Sequence, residues 1–436
     1  MSAPLYWSAR ETAGRRQRRL GALLLILLAI GYAAGGAEEA APLTVAEAVK
    51  LAIENSAELR AARAGVDAVD ATVRGARGAL LPRVNVGASE NYSRSPGEDP
   101  GDGGSVYLGV SQPLYDGGVG KAGVAVARAR VAMAREAVDV ARARIARDVR
   151  VACYDLVLEA KLVGVRTRQE RLAGEHLSGV RTRRERNNAQ KSEITRAEVA
   201  LAEQRAALRR AEGARDVRSA ALEELLGGRA GAPVAVVDAW PEVTAEAGGV
   251  DALVEAALER RPEMRASRAD EELVRMRIDA ARRARRPTLD VEYRLGAGWS
   301  SDSTWDEEWR VGLSFEYQVF DGNEARARVM EQSARLEEAR ARTAALALRV
   351  RREITTARLD LDSAVELVRS LSGNVELANQ YLRDELERQR MGSNSYLDVL
   401  NARASLAAAE SSYYRALRDA AVARAQLDWA TGEAVE

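Results

Sequence analysis

The chain has 436 residues, with 65 basic side chains against 65 acidic ones and a formal charge of zero. That length holds two or three ordinary domains, and the even balance gives no electrostatic reason to expect nucleic acid as a partner. One Cys and one His, Cys153 and His176, exclude an internal disulfide and leave too few ligands for a Cys/His zinc site.

The first feature is a processing signal. Arg15, Arg16, Arg18 and Arg19 precede an apolar run of about 15 residues, Leu20 to Ala34, and the small residues Gly35-Gly36-Ala37 follow. The run is short for a membrane helix and reads as a signal peptide over 1–37, cleaved before Glu38, rather than an uncleaved anchor. No later segment is apolar enough to be a membrane helix. If the exported chain spans a membrane, it must do so with strands.

Thr44 and Glu47 form a capping-box pattern that opens an amphipathic helix, expected from about Val45 to Ala79 with room for a break, and Pro82 stops it. Two strands follow. Val84, Val86 and Ala88 alternate with polar residues, as do Val106, Leu108 and Val110. A polar loop, "SPGEDPGDGG", joins them. The second strand ends in Pro113, Tyr115, Asp116 and Gly117. A helix then runs without Pro from Lys121 to about Arg186, roughly 100 Å at 1.5 Å per residue. Val124, Val131, Val138 and Ile145 recur every seven residues, with Ala127, Ala134 and Ala141 three positions on, as in a close-packed coiled coil. In this reading Cys153 is a small buried residue and His176, in a charged run, faces solvent. "RNNAQKSE" breaks the helix, and a returning helix reaches about Leu226.

The whole pattern then recurs 205 residues later. Asp321-Gly322 repeats Asp116-Gly117, Pro287 repeats Pro82 and Gly432 repeats Gly227. Such an offset, held over roughly 180 residues, marks two copies of one unit. The first unit covers 42–228, a connector with room for a small strand covers 229–249, the second unit covers 250–432, and 433–436 is a tail. The second unit's strands alternate more cleanly, Leu289 to Leu295 and Trp309 to Val319. They read as soluble sandwich strands or as membrane-barrel strands. The export signal and a length near ten residues favour the barrel. At each Asp-Gly step a strand turns into a helix, with Asp able to cap and Gly able to relieve the turn. The basic run "ARRARRP" before the third strand reads as a snorkelling collar or a solvated helix end.

Four strands cannot close a barrel, and open edges in lipid are prohibitively costly, so the chain must oligomerise. Three copies give twelve strands. No phosphate loop, metal-ligand cluster or His base beside a nucleophile is present, so neither an enzyme nor a cofactor is expected.

"LTVAEAVKLAIENSAELRAAR", "LLPRVNV", "QPLYDGG" and "MGSNSYLDVLNARASLAAAE" together resemble the TolC-like outer membrane efflux proteins of Gram-negative bacteria, over essentially the whole mature chain. The resemblance implies an α+β membrane protein, a homotrimer whose 12-stranded β-barrel in outer-membrane lipid continues into a periplasmic α-helical tunnel. It implies docking to a periplasmic adaptor and to an inner-membrane transporter of RND, ABC or MFS type, in an efflux pump or a type I secretion system. The rival reading is an exported trimeric coiled-coil scaffold or adhesin. The helix breaks, at Asn187, Asn188, Gly392 and Ser393, become candidate adaptor-docking tips. The family's acidic tip positions fall on Asp398 and on Asn401, which departs from the pattern; Glu193 is the first-copy partner of Asp398. Asp398 is then a gate, a helix cap, or both. The corner Pro is present at Pro113 and replaced by Gln318 in the second copy. Substrate identity is not legible.

Overall fold

The computed structural model describes residues 42–93, 101–186, 190–228, 236–237, 240–241, 243–244, 249–300, 303–393 and 395–433. The signal peptide, most of the connector, parts of both strand-joining loops, and Asn187 and Asn188 lie outside the described residues.

The first copy runs α1 (Val45–Asn55), α2 (Ala57–Gly78), β1 (Arg83–Ser93), β2 (Gly101–Tyr115), α3 (Val119–Glu185) and α4 (Lys191–Leu225). The second runs α5 (Val250–Arg260), α6 (Pro262–Arg283), β3 (Thr288–Ser300), β4 (Ser303–Glu316), α7 (Glu324–Arg390) and α8 (Tyr396–Thr431). All the helices, and the first strand of each pair, begin 205 positions after their counterparts.

Local chemistry sets the boundaries. Thr44 Oγ1 accepts from Glu47 N, and the Glu47 carboxylate accepts from Thr44 N, so α1 starts on a closed capping box. The break between α1 and α2 falls at Ser56, whose hydroxyl accepts from Leu59 N at 3.2 Å. In the second copy Pro262 at the first helical position does the equivalent job, since it has no N–H to satisfy. Ser56 and Arg261 are both buried. Arg261 pairs with Glu353 at 2.6 Å and lies over the Trp429 ring, so its charge is compensated.

The four strands form one antiparallel sheet in the order β1-β2-β3-β4. The helices share that lateral order: α2 lies on α3, α3 on α6, and α6 on α7. The chain is therefore an arc with two open sides, β1 with α2 and β4 with α7. α4 returns along α3, α8 returns along α7, and α3 also touches α8.

The hydrophobic cores repeat as well. Ala52, Leu59, Ile145, Val149, Leu156 and Leu222 form one cluster; Ala257, Met264, Val350, Ile354, Leu361 and Leu427, their counterparts at the same offset, form another. Val124, Ala127, Val131 and Ile145 of the expected heptad are buried, while Val138 is half-buried. Cys153 is fully buried, and burial pushes its thiol up to about 12. From the connector, Val236 pairs with Leu43 in an isolated bridge.

Two expectations are corrected. Alternation predicts the fourth strand to Val319, but β4 stops at Glu316, whereas β2 continues to Tyr115. Tyr115 is paired with Leu289 on β3; β4 is an edge with no neighbour beyond it, so nothing fixes its last residues. His176 does not face open solvent. It is half-buried and stacked on Tyr396.

Candidate functional site

At the first corner the Asp116 carboxylate accepts from Gly118 N at 2.8 Å and Gly120 N at 2.6 Å. At the second, Asp321 accepts from Asn323 N at 2.9 Å and Ala325 N at 3.0 Å. The cap position itself is taken by Gly118 and Asn323, both left-handed, so Asp acts from two residues upstream. Those bonds, first among them the one from Ala325, hold the Asp321 carboxyl below the usual range. Gly117 and Gly322 have φ of 68° and 62°, which only glycine adopts without penalty. A Cβ at Gly117 would sit 2.7 Å from Arg286 Cβ. Pro113 lies beside a register shift between β2 and β3, the kind of irregularity where a strand tolerates proline.

The basic run ends α6 against the first corner. Arg286 donates to the Gly117 carbonyl at 3.3 Å, and Arg283 pairs with Asp279 at 2.8 Å. Two of the four arginines are thus turned onto protein.

The sheet has one apolar face. Val84, Val86 and Ala88 stand opposite Val110, Leu108 and Val106; these face Tyr293, Leu295 and Ala297; and Tyr293, Leu295 and Leu289 face Val311, Trp309 and Phe315. Among the described residues nothing covers this face, for Val86 is 76% exposed and Phe315 is 68% exposed. Aromatics mark both rims. Tyr92, Trp299 and Trp305 lie far from the helices, with Trp299 and Trp305 rings 4.6 Å apart; Tyr115 and Phe315 lie near them. Ten residues from Trp305 to Phe315, at about 3.4 Å each and a tilt near 45°, give a band of about 25 Å, apolar on β4 except for Glu307 opposite Ala297 near its far rim. That matches the hydrocarbon layer a barrel must cross. The opposite face is polar. Arg294 lies over the Tyr107 ring at 4.5 Å, and Tyr107 lies flat over Gly87, where a Cβ would meet the ring.

At the far end the long helices turn back. α7 ends in a C-terminal turn with Gly392 at φ 74°, while Ser393 N and Oγ both donate to the Arg388 carbonyl. Asp398 accepts from Ser395 N at 3.0 Å and Ser395 Oγ at 2.8 Å, closing a capping box that opens α8. The Ser395 hydroxyl, then its N–H, holds the Asp398 carboxyl below its ordinary range. Glu193 closes the equivalent box on Gln190 in α4. Asn401 is exposed on α8. Among the described residues no group of His, Cys, Asp and Glu could hold a metal ion, and no helix is long and apolar enough to cross a membrane.

An amphipathic sheet of membrane thickness, continuing through two sharp corners into helices of 67 residues, defines a strand-borne membrane protein with a long helical extension. The outer membrane efflux protein model matches residues 48–228 and again 253–433, and the chain belongs to that family. The two matched segments repeat the 205-residue offset. The family consists of outer membrane efflux channels, which are not enzymes. The chain is 23% identical over 394 residues to the outer membrane efflux protein BepC of Brucella suis, covering 89% of this chain and 85% of that protein. Among solved structures it is similar to a membrane protein of Pseudomonas aeruginosa, with TM-score 0.75 and 21% identity over 89% of this chain and 90% of that one. It is similar also to the Campylobacter jejuni CmeC outer membrane channel, with TM-score 0.76 and 17% identity over 89% and 86%.

Sequence reasoning misses the His176–Tyr396 stack. A usable signal exists: Ala173, Leu177 and Val180 put His176 at the margin of an apolar stripe on α3.

Proposed function

We propose that three copies of this chain form the outer-membrane channel of a tripartite efflux pump or type I secretion system. In this reading substrates pass from a periplasmic adaptor and an inner-membrane transporter, of RND, ABC or MFS type, to the exterior. The observation that carries it is the open arc. β1 and β4 are both unpaired edges of a sheet whose apolar face matches a bilayer, and they end on the same sides as α2 and α7. Three arcs close into a barrel of twelve strands, three times four, with no lipid-exposed edge. Leu348, Leu359 and Leu377 of α7 support the closure. They are spaced close to whole helical turns and lie exposed on the open side of the arc.

In this reading the repeats 42–228 and 250–432 are the two staves of each protomer, joined by the connector 229–249. The Asp116 and Asp321 corners are where barrel becomes tunnel. Gly392, Ser393, Asn187 and Asn188 form the adaptor-docking tips, and Asp398, with Asn401 and Glu193 nearby, lines the periplasmic entrance. The N-terminal 1–37 is removed on export.

The test is to purify the protein in detergent, measure how many chains form the particle, and record it in planar bilayers. A conducting three-chain particle is expected. A stable folded single chain would refute the closure, and a silent trimer would leave a scaffold or adhesin instead.

A further inference from the structure

The two coils of the chain, α3 with α4 and α7 with α8, are tied where α3 meets α8. The ties form a ladder. Asp155 pairs with Arg418 at 2.6 Å, Arg168 with Glu410 at 2.6 Å, and Gln169 donates to the Arg403 carbonyl at 3.4 Å. The tip-most of these rungs is different in kind. The His176 ring stacks on the Tyr396 ring, with centroids 3.5 Å apart and planes within 6°. His176 lies nine residues before the end of α3, so the stack is roughly 14 Å from the helix end. Tyr396 is the first residue of α8, one position after the capping Ser395 and two before Asp398.

We propose that His176 and Tyr396 are positioning residues of the tunnel tip: their stack clamps the first turn of α8 onto the α3–α4 coil, and protonation of His176 releases it. The part played in opening rests on the channel reading above; the clamp itself does not.

Three observations converge. First, the stack borders open space. Val399 and Ala402 on one side of α8 are fully buried, but Tyr396 and Leu400 face a cavity of about 320 Å³ also walled by Val180 and Ala197, so the rings, with the Arg403 side chain on Tyr396, hold the side of the first turn that packing leaves loose. Second, the cations around His176 outnumber the anion. Arg183 acts on it from α3, Arg403 from α8, and Arg196 of α4 lines the same cavity; Glu193 of α4 is the acid that opposes them. A protonated imidazole over a tyrosine ring gains some cation–π attraction. Burial and the arginines outweigh it, and His176 is held below its usual value, burial being the larger cause. Third, Tyr396 contributes no charge of its own, because burial raises its phenol further.

The sign follows from linkage. The imidazole binds a proton less well stacked than free. The clamp is therefore at full strength above the free histidine value of about 6.5, and it weakens as pH falls through the lowered value. Acid loosens the tip; neutral pH closes it.

The test reads geometry within one chain. Nitroxide labels at Gly179 on α3 and Ala404 on α8, both exposed, report the distance across the clamp by pulsed EPR on the full chain in liposomes. The expected wild-type result is one narrow distance near pH 7.5 and a longer population enlarged about threefold or more near pH 5. His176→Phe keeps a stacking ring without a titrating group and is expected to stay narrow at both values. Tyr396→Leu removes the ring and is expected to be broad at both. A wild-type distance that ignores pH overturns the proposal, as does a His176→Phe variant that still loosens in acid. Because the readout needs no transport, a protein that fails to conduct refutes the channel reading and leaves the clamp to be judged on its own distances.

Discussion

The repeat predicts the interface between protomers, residue by residue. Inside the chain β2 pairs with β3, placing Gly109 opposite Arg294 and Val110 opposite Tyr293. Moving the β2 members forward by 205 gives β4, and moving the β3 members back by 205 gives β1. If closure repeats the internal joint, Ser314 of one protomer stands opposite Ser89 of the next, and Phe315 opposite Ala88. The energetic reason for closure is large. β1 has 11 residues, so an open edge in lipid leaves about ten bare backbone groups at several kcal/mol each, or tens of kcal/mol. Directly opposed residues of an antiparallel pair have Cα atoms about 4.5–5.5 Å apart, inside the disulfide range of about 4.4–6.8 Å. The perturbation is the double variant Ser89→Cys with Ser314→Cys, both on the polar face. Buried Cys153, with its thiol pushed up to about 12, does not compete. On non-reducing gels most chains should run as covalent trimers after mild oxidation. Ser314→Cys with Glu90→Cys should not crosslink, because a one-residue slip puts the two side chains on opposite faces. A trimer from the Glu90 pair, with none from Ser89, would refute the reasoning.

Cysteines placed at Asn188 and Ser393 should crosslink to a periplasmic adaptor in cells, while cysteines in the strand-joining loop near Asp102 should not; the reverse pattern would invert the orientation. Asp398→Asn should weaken block by multivalent cations added from the periplasmic side while leaving the trimer intact on native gels, and unchanged block would leave Asp398 as a helix cap only. Leu361 of α7, fully buried in a cluster with residues of α5, α6 and α8, should cost about 2–5 kcal/mol as Leu361→Ala, seen as a lower unfolding temperature in detergent. Cys153 should resist alkylation near pH 8 in the folded protein and react within minutes once unfolded, as measured by intact mass.

How far the sequence carries depends on the range of the interaction. The alternation of Leu289 to Leu295 and the run from Trp309 are local, and a period of two survives any tertiary context. The capping boxes at Thr44 and Asp398 are local as well. The end of β4 is not, because the pairing that would extend it lies outside the chain. His176 is the sharpest case. Its neighbours Glu175, Arg181 and Arg183 make a charged helix surface by any local measure. Tyr396 is 220 positions away, and only the docking of α8 on α3 brings the rings together. The two copies also hide their differences inside their likeness. At the position of Leu80 and Leu81 in the first copy, the second has Arg285 and Arg286; Leu80 and Arg286 both pack on the first corner, while Arg285 acts on Asp321 of the second.

The same twinning decides what a recording of Asp398→Asn can prove. Asp398 and Glu193 are equivalent residues in equivalent capping boxes, each spending its carboxylate on the first turn of a helix. Three residues on, Glu193 has Arg196 as its neighbour and Asp398 has Asn401. Only the second copy therefore leaves an acidic turn without a cation at that position. The polar face of the sheet is itself biased: Asp290, Glu292, Asp306, Glu308 and Glu316 outnumber Arg83, Arg294 and Arg310. A cation preference of the open channel could thus arise in the barrel, about 100 Å from the tip. Overall selectivity cannot separate the two sources, but the side of block can. In the proposed trimeric channel a multivalent ion arriving from the periplasm meets the tip first, and at about 4 Å each unit charge pair contributes about 1 kcal/mol even in water. Removing three carboxylates there should raise the blocking concentration several-fold from that side and leave block from the other side unchanged.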